Sequence, residues 1–201
     1  MLNFNLFEGK TREEAVEKAL DYFNLDEEYL IIKDIESDDE KVFQIEVIDK
    51  ADLKHYIKEF ISNLAELMNM DINVEIREVE GSYNLKLVSS SNSILIGKDG
   101  RTISAIQTIL RRALENKLNM PIKVNVDVAN YKEKNLRRMA SEIKKIAYEV
   151  QKTKVDVALD PMNSYERREI HNMVDKIPHV TTESEGEGIN RHIVIKYVEE
   201  D

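Results

Sequence analysis

Residues 94–110 have the sequence ILIGKDGRTISAIQTIL, which holds the strongest clue to the architecture. A short apolar run leads into Gly97 and Gly100, and apolar residues at helical spacing follow them. Glycine lets a backbone turn tightly and approach a ligand closely. The start of a helix offers free amides and a positive dipole end, which suit a phosphate group. The stretch therefore predicts a Gly-x-x-Gly turn before an amphipathic helix, with Lys98 and Arg101 adding positive charge.

The elements around this turn give it context, because a Gly-x-x-Gly run alone is a weak signal. Taken alone, it is more often a turn between helices that uses glycine without any ligand. The predicted elements are a helix over 53–68, strands 72–79 and 83–88, a short apolar run ending at Ile96, a helix burying Ile103, Ile106, Ile109 and Leu110, and strand 122–128. The order α-β-β-α-α-β is that of a type II KH domain, whose Gly-x-x-Gly loop clamps about four nucleotides.

The first 50 residues predict a small β-α-β-β domain. Residues 2–7 alternate apolar and polar side chains, as a strand does. Thr11 and Glu14 have the spacing of a capping box, which predicts the start of a helix. Strand-like runs follow at 29–35 and 42–48, and the acidic turn Ser37-Asp38-Asp39-Glu40 separates them.

The end of the chain predicts a third domain with the order α-β-α-β-β. Its first helix combines a buried apolar stripe with a face rich in lysine and arginine. The predicted elements are helix 131–150, strand 154–159, helix 163–175 with Asn163 and Glu166 at capping-box spacing, and strands 178–183 and 191–198. The whole sequence therefore predicts an α+β protein of three small domains, at residues 1–50, 51–129 and 130–201.

The charge of the protein is unevenly distributed along the chain. The formal net charge is -10, which alone would argue against a nucleic-acid-binding protein. Residues 1–50, however, hold 6 Lys/Arg against 15 Asp/Glu, a net charge of -9. Residues 95–154 hold 14 basic and 6 acidic residues, a net charge of +8. The chain is an acidic head followed by a basic middle that could attract a polyanion.

Composition also argues against several kinds of function. There is no cysteine, and the four histidines lack metal-helix spacing, so we expect no metal site and no cofactor. No P-loop and no nucleophile elbow occurs, so we expect no enzyme. The first residues have no basic segment, and no apolar run approaches about 18 residues. We therefore expect a soluble, cytoplasmic protein without membrane insertion.

A second pair of residues suited to nucleic-acid binding lies on the predicted helix 163–175. Arg167 and His171 are four positions apart and share one face, while Ile170 and Val174 point toward the core. The guanidinium group can bind phosphate as a planar fork or stack on a base. Histidine can stack or donate a hydrogen bond to phosphate. The alternative is a solvated helix face with a satisfied histidine. Tyr165 is a further candidate for stacking, as is Tyr131.

Two longer stretches extend this pair into a resemblance. LDPMNSYERREIH at 159–171 and VTTESEGEGINR at 180–191 resemble the signature of the Arg-x-x-x-His domain that binds single-stranded nucleic acid. Together with LIGKDGRT at 95–102 and EGKTREEA at 8–15, they resemble the bacterial Jag family, also called KhpB. The resemblance covers essentially the whole chain. Its C-terminal motif is the most specific part, and the head is the loosest match.

The resemblance implies binding of single-stranded RNA, or of single-stranded DNA. It further implies a small KH-only partner protein and a role as a post-transcriptional regulator or RNA chaperone in cell-envelope growth, cell shape or division. A homodimer is expected by the same resemblance. Asp99 departs from a favourable clamp, because its negative charge should weaken contact with phosphate. The expected RNA-binding residues are Ile96, Gly97, Lys98, Asp99, Gly100, Arg101, Arg167, Arg168 and His171.

Two other functions remain open at this point. In the first, the acidic head and the KH sheet bind protein partners, and affinity for RNA is incidental. In the second, which ranks last, the protein is an RNA-processing enzyme, which would require acidic side chains to converge on a metal ion.

Overall fold

The computed structural model describes residue 2 and residues 4–37 and 41–199. Most of the predicted acidic turn Ser37-Asp38-Asp39-Glu40 lies outside these residues. The chain divides into two compact units, Met1–Ala129 and Asn130–Asp201. The described residues form three separate three-stranded sheets with helices, so the predicted α+β class is confirmed.

The head contains three antiparallel strands and one helix. Its elements are β1 (Asn5–Gly9), α1 (Arg12–Phe23), β2 (Leu30–Ile35) and β3 (Phe43–Asp49), and the strand order is β1-β3-β2. Ala15 and Ala19 of α1 pack with Ile45 and Val47 of β3, and all four are fully buried. Strand β1 begins three residues later and ends two residues later than its alternation predicts, because its bounds follow the residues of β3 that pair with it.

The cap of α1 differs from the predicted reciprocal pair. Thr11 Oγ1 accepts a hydrogen bond from the Glu14 amide, at 3.3 Å. The Glu14 carboxylate accepts from the amide of Lys10 rather than from that of Thr11, at 2.9 Å. The helix is therefore capped by the predicted side chains, but the carboxylate reaches one residue further back.

The middle of the chain has the predicted order α-β-β-α-α-β. Its elements are α2 (Lys50–Leu67), β4 (Ile72–Val79), β5 (Ser82–Ser89), α3 (Asn92–Ile96), α4 (Arg101–Leu118) and β6 (Lys123–Val128). Strand β5 lies at the centre of the sheet, antiparallel to β4 and parallel to β6. Ile106 and Leu110 of α4 are buried, whereas Ile109 is 54% exposed, contrary to the prediction. Ile109 lies about 100° around the helix from Leu110 and so leaves the apolar stripe.

Helix α2 follows β3 without a linker. Asp49 is the last residue of β3, and its carboxylate caps α2 by accepting from the Ala51 amide at 2.7 Å. In the first turn of α2, Lys50 Nζ lies 2.5 Å from the Glu78 carboxylate of β4, and Lys54 Nζ lies 3.5 Å from it. These contacts fix the start of the helix against the second sheet.

The last domain packs two helices on one sheet. Its elements are α5 (Tyr131–Thr153), β7 (Val157–Ala158), α6 (Ser164–Val174), β8 (Val180–Glu185) and β9 (His192–Tyr197), and the strand order is β7-β9-β8. The predicted strand 154–159 was too long, since only two of its residues pair with β9. Lys154 caps α5 in the left-handed region, with φ 58°, so a strand cannot begin there.

Candidate nucleic-acid interface

The Gly-x-x-Gly loop has an unusual backbone. Gly97, Asp99 and Gly100 all have positive φ, at 69°, 53° and 74°. The Gly97 amide donates to the Ser93 carbonyl at 2.9 Å and thereby closes the end of α3. A Cβ at Gly97 would lie 2.1 Å from Thr102 Oγ1, so only glycine fits. Conformations of this kind cluster at ligand-binding sites.

Helix α4 begins at the end of this loop. Its N-cap is Gly100, which has no side chain to cap the first turn, and the Arg101 amide donates to the Lys98 carbonyl. The amides that follow Arg101 have no side-chain cap and can meet an outside acceptor. Lys98 and Arg101 are exposed beside them, and so is Asp99, whereas Ile96 is half-buried at the end of α3. The loop thus brings the predicted positive charges to one place, together with one opposing carboxylate.

The second candidate site is built on α6. Asn163 and Glu166 form the predicted capping box, which fixes the start of the helix. Ile170 is fully buried, so Arg167 and His171 are held on the flank that faces β8. Arg167 Nη1 donates to Ser184 Oγ at 2.8 Å.

His171 makes two contacts through its ring nitrogens. Its Nδ1 forms a hydrogen bond with Thr182 Oγ1 on β8, and its Nε2 lies 3.6 Å from the Asp175 carboxylate. About half of the His171 side chain stays exposed, at 52%. Arg168 is exposed and lies about 100° around α6 from Arg167. It therefore does not share the flank of Arg167 and His171.

Three residues of this site were assigned no individual role, although they lie in the stretch 180–191 that resembles the Arg-x-x-x-His signature. Thr182 and Ser184 hold the side chains of His171 and Arg167, and Arg191 Nε also donates to Ser184 Oγ, at 3.1 Å. The alternation of β8 was the available signal, because residues 182 and 184 lie on the same strand face as the buried Val180. Arg191 ends the quoted stretch 180–191, but it precedes β9 in an irregular segment where no periodic pattern could indicate its contacts.

A buried amide connects α5 to α6. Asn135 is 9% exposed, and its Nδ2 donates to Glu166 Oε1 at 2.9 Å. The other Glu166 oxygen accepts from the Asn163 amide within the capping box, at 3.1 Å. The side-chain oxygen Oδ1 of Asn135 accepts from Arg138 Nη2 at 2.9 Å. The network therefore positions α6, which carries Arg167, and also the side chain of Arg138 on α5.

The solvent face of α5 is strongly basic. It exposes five cationic side chains within three turns, and Arg137 among them pairs with Glu133. These side chains are Lys134, Arg137, Arg138, Lys144 and Lys145. Such a face attracts phosphate groups without reading bases.

Two acidic side chains of β8 share one lysine on the opposite face of the sheet. Lys196 Nζ lies 2.5 Å from the Glu183 carboxylate and 2.9 Å from that of Glu185. The hydrogen bond from Lys196 lowers the pKa of Glu185, and the two carboxylates raise the pKa of Lys196. Glu183 and Glu185 alternate with Ser184 along the strand, so their charges point away from Arg167.

Comparison with known proteins identifies both nucleic-acid-binding domains. The family model of the KhpA/KhpB KH domain matches residues 54–128, and that of the Arg-x-x-x-His domain matches residues 134–197. The protein is thus of the class in which a KH domain precedes an Arg-x-x-x-His domain, and both predicted domain types are confirmed.

Whole-chain relatives give the family. The chain is 35% identical over 196 residues to the RNA-binding protein KhpB of Clostridium symbiosum, covering 93% of this chain and 88% of that one. It is 29% identical over 199 residues to the RNA-binding protein KhpB of Bacillus subtilis, with 94% and 96% coverage. The protein of that name from Streptococcus pneumoniae serotype 2 is 25% identical over 195 residues, which is 97% of this chain and 58% of that one. The chain belongs to the KhpB family.

Neither a membrane-spanning helix nor a metal cluster occurs in the described part of the chain. Residues 2, 4–37 and 41–199 contain no helix that is both long and apolar enough to cross a bilayer. The same residues contain no group of three His, Cys, Asp or Glu side chains that could hold a metal ion.

Proposed function

We propose that this protein binds single-stranded RNA through its KH and Arg-x-x-x-His domains and acts as a binding protein rather than an enzyme. The observation that carries the proposal is the loop at 97–100, whose left-handed backbone leads directly into an uncapped helix. The two glycines adopt these angles without strain, whereas Asp99, with φ 53°, is a non-glycine residue in a costly conformation of the kind that clusters at functional sites. The two domain matches and the RNA-binding relatives support the same conclusion.

The proposed mechanism combines backbone amides with side-chain charge. The first turn of α4 offers amides to the sugar-phosphate backbone, and Lys98 and Arg101 add attraction while Asp99 opposes it. Arg167 and His171 bind a further stretch of strand, and Ile96 lines the loop. Each phosphate neutralised should contribute about -0.7 to the slope of log affinity against log salt.

The wider role of the protein is proposed from the family likeness. It would act as a post-transcriptional regulator or RNA chaperone in the cytoplasm, in cell-envelope growth, cell shape or division. A small KH-only protein would be its partner, and a homodimer is a second proposed assembly. Arg168 and the basic face of α5 would add unspecific attraction for the strand, since they are exposed and cationic.

A second candidate function is that of a protein-interaction scaffold. The head favours it, because residues 1–50 have a net charge of -9, which repels RNA. Tyr22 on α1 is 67% exposed, and exposed tyrosines are common in protein interfaces. In this function the head binds a basic protein, and RNA affinity is incidental.

Crosslinking in cells tests the proposed function. RNA bound to the wild type and to Arg167→Ala/His171→Ala would be recovered and sequenced. A matched control is His55→Ala/Arg77→Ala, which removes the same residue types from exposed positions elsewhere. We expect recovery from the wild type and the control to be similar, and recovery from the Arg167/His171 variant to fall roughly tenfold or more, because charge-assisted contacts are lost.

Two other outcomes of this experiment would contradict parts of the proposal. If the wild type recovers no RNA above background, the proposed function is wrong and the scaffold becomes the leading candidate. If all three proteins recover RNA equally, RNA binding does not depend on Arg167 and His171.

A further inference from the structure

Helix α5 carries a continuous basic track along its outer side. At about 100° per residue, a sector of roughly 120° holds six exposed basic side chains and no carboxylate. These side chains, which define the α5 track, are Lys134, Arg137, Arg138, Lys144, Lys145 and Lys152. The track lies opposite the buried Ile143, Ala147 and Val150, so it faces away from the core of the domain. From its first to its last lysine it extends over roughly 27 Å of helix.

Most of the positive charge of the α5 track is not neutralised by neighbouring side chains. Among the residues that the structure describes, Lys144, Lys145 and Lys152 form no ion pair. Glu142 and Glu149 flank the track at three and four positions from Lys145, a spacing at which helical side chains can pair, yet neither contacts it. The charge is therefore left for an anion from outside the chain.

One exposed aromatic side chain lies within the α5 track. Tyr148 is 57% exposed, and Lys144 and Lys152 lie about one turn before and after it on the same side of the helix. Its ring contacts no other aromatic ring of the described residues. Tyr148 therefore presents its ring to solvent between cations and does not pack with the buried side of α5.

From this arrangement we infer that the α5 track binds a stretch of single-stranded RNA, with Tyr148 stacking on a base while the flanking lysines contact phosphates. Proteins hold single strands in this way, with aromatic rings for the bases and positive charge for the backbone. The inference rests on the proposed function, because the strand is taken to be RNA. It adds to that function a residue that contacts a base and a surface apart from Arg167 and His171.

The α5 track suits a nucleic-acid strand better than a lipid surface. A helix that lies on a membrane buries an apolar face in it, and its affinity increases with the apolar area. Tyr148 is the only large side chain with apolar surface in the sector, and the apolar stripe of α5 is already buried against its own domain. A single strand needs only one ring for each stacked base, together with cations for the phosphates beside it.

Fluorescence offers a direct test of stacking, because the sequence contains no tryptophan. Tyr148→Trp places the only indole of the full chain at the proposed stacking position. Titration with an oligouridylate of about 12 nucleotides, longer than the roughly four nucleotides of a KH clamp, should quench this indole as a base stacks on it. Tyr29→Trp is the matched control, since Tyr29 is 51% exposed in the acidic head, and its fluorescence should not change.

Affinity for the same oligouridylate tests the contribution of the ring. Tyr148→Ala should lower the affinity roughly tenfold, which is within the usual range for one stacked base. It should leave the salt slope unchanged, because no charge is removed. Tyr148→Phe should bind like the wild type, since the ring is retained, and Tyr29→Ala should do the same.

The salt slope tests the lysines. Lys144→Gln/Lys145→Gln/Lys152→Gln should make the slope of log affinity against log salt shallower by about 2, because three phosphates contribute about 0.7 each. The matched control is Lys58→Gln/Lys117→Gln/Lys123→Gln, which removes the same charge from exposed positions in the middle domain. This control should change the slope much less.

Each result separates the α5 track from the proposed function. If the wild type binds but the indole at 148 is not quenched and Tyr148→Ala binds like Tyr29→Ala, the track is wrong while the proposed function stands. If phosphatidylglycerol vesicles change this fluorescence and the oligouridylate does not, the track is a membrane surface and the inference is overturned. If the wild type does not bind the oligouridylate, the proposed function and the track both fail. Circular dichroism checks each fold, and Tyr148→Ala should remain folded because alanine favours helices.

Discussion

Gly97 and Gly81 have nearly the same φ angle but very different surroundings. Their φ angles are +69° and +70°. A Cβ at Gly97 would lie 2.1 Å from Thr102 Oγ1, whereas a Cβ at Gly81 would meet no heavy atom within 4 Å. Gly81 is thus required for its backbone angle alone, whereas Gly97, with ψ -178° in a region essentially limited to glycine, is required for its backbone and for lack of space.

Replacing each glycine by alanine should show the difference. Gly81→Ala should cost about 1 kcal/mol in unfolding free energy, from backbone strain alone. Gly97→Ala should cost about 2 kcal/mol more, because Thr102 or the loop must move. Urea unfolding of the full chain, followed by circular dichroism, measures both. Equal losses in unfolding free energy would mean that the loop relaxes to accommodate the added methyl group. That result would contradict a rigidly held conformation at Gly97.

Single residues of the sites were predictable where the pattern was local. The glycine spacing predicted the loop, and the four-residue spacing of Arg167 and His171 predicted their shared flank. Ser184 and Arg191 were not predictable in this way, because their contacts depend on how the last hairpin pairs and packs against α6. A periodic pattern describes one element and does not specify the partners of its polar face.

At the scale of elements, α6 depends on its cap. The Asn163 side chain accepts from the Glu166 amide at 3.0 Å, and the Glu166 carboxylate returns the bond to the Asn163 amide. Because Arg167 follows within the first turn, fraying at this end would release it from Ser184.

Removing the cap should therefore affect both stability and binding. Asn163→Ala should lower the unfolding free energy by about 1 kcal/mol, which is the usual contribution of an N-cap. It should also weaken RNA binding, because Arg167 is held less firmly. Asn172→Ala is the control, since Asn172 is exposed within the same helix and alanine favours helices. Thermal unfolding and oligonucleotide binding measure both effects, and a control variant as unstable as Asn163→Ala would contradict the prediction.

Helices and most strands were predicted about equally well, since strand 72–79 matches β4 while the helix predicted over 53–68 begins at Lys50. Helix α6 was predicted at 163–175 and spans Ser164–Val174, because its apolar spacing is contained within the element. The strand predicted at 154–159 is only Val157–Ala158. A strand ends where its partner ends, and the sequence of one strand does not contain that information.

At the scale of the whole molecule, charge is segregated along the chain. The acidic head has a net charge of -9, and residues 95–154 have a net charge of +8. Deleting the head so that the chain begins at residue 51 would be a poor test of how the head affects RNA binding. The cut would remove the Asp49 cap of α2, and it would remove Ile48, which is fully buried.

Neutralising the head in the intact chain is the better test. Glu17→Gln/Asp21→Asn/Glu27→Gln changes three exposed carboxylates of the head. We expect faster association with RNA at low salt, because long-range repulsion is reduced, and no difference at high salt, where it is screened. Stopped-flow fluorescence at both salt concentrations measures this. An unchanged rate at low salt would mean that the head does not repel RNA, leaving protein binding as its function.

The sequence predicted three small α+β domains, and each of the three predicted segments contains one three-stranded sheet. Composition did not show that the first two blocks form one compact unit, Met1–Ala129. The contacts of Lys50 and Lys54 with Glu78 contribute to that unit, and no local pattern pairs residues so far apart.

The shared position of Asp49 limits how the length of this chain can change. One residue inserted before Asp49 would shift the register of β3 and turn its buried side chains outward. One residue inserted after it would rotate α2 by about 100° relative to its cap. We therefore expect a library of single-codon insertions to yield no folded protein between 45 and 57, whereas the turn at Glu80-Gly81 should accept them. A longer spacer could enter the first region only by replacing the cap that Asp49 now provides.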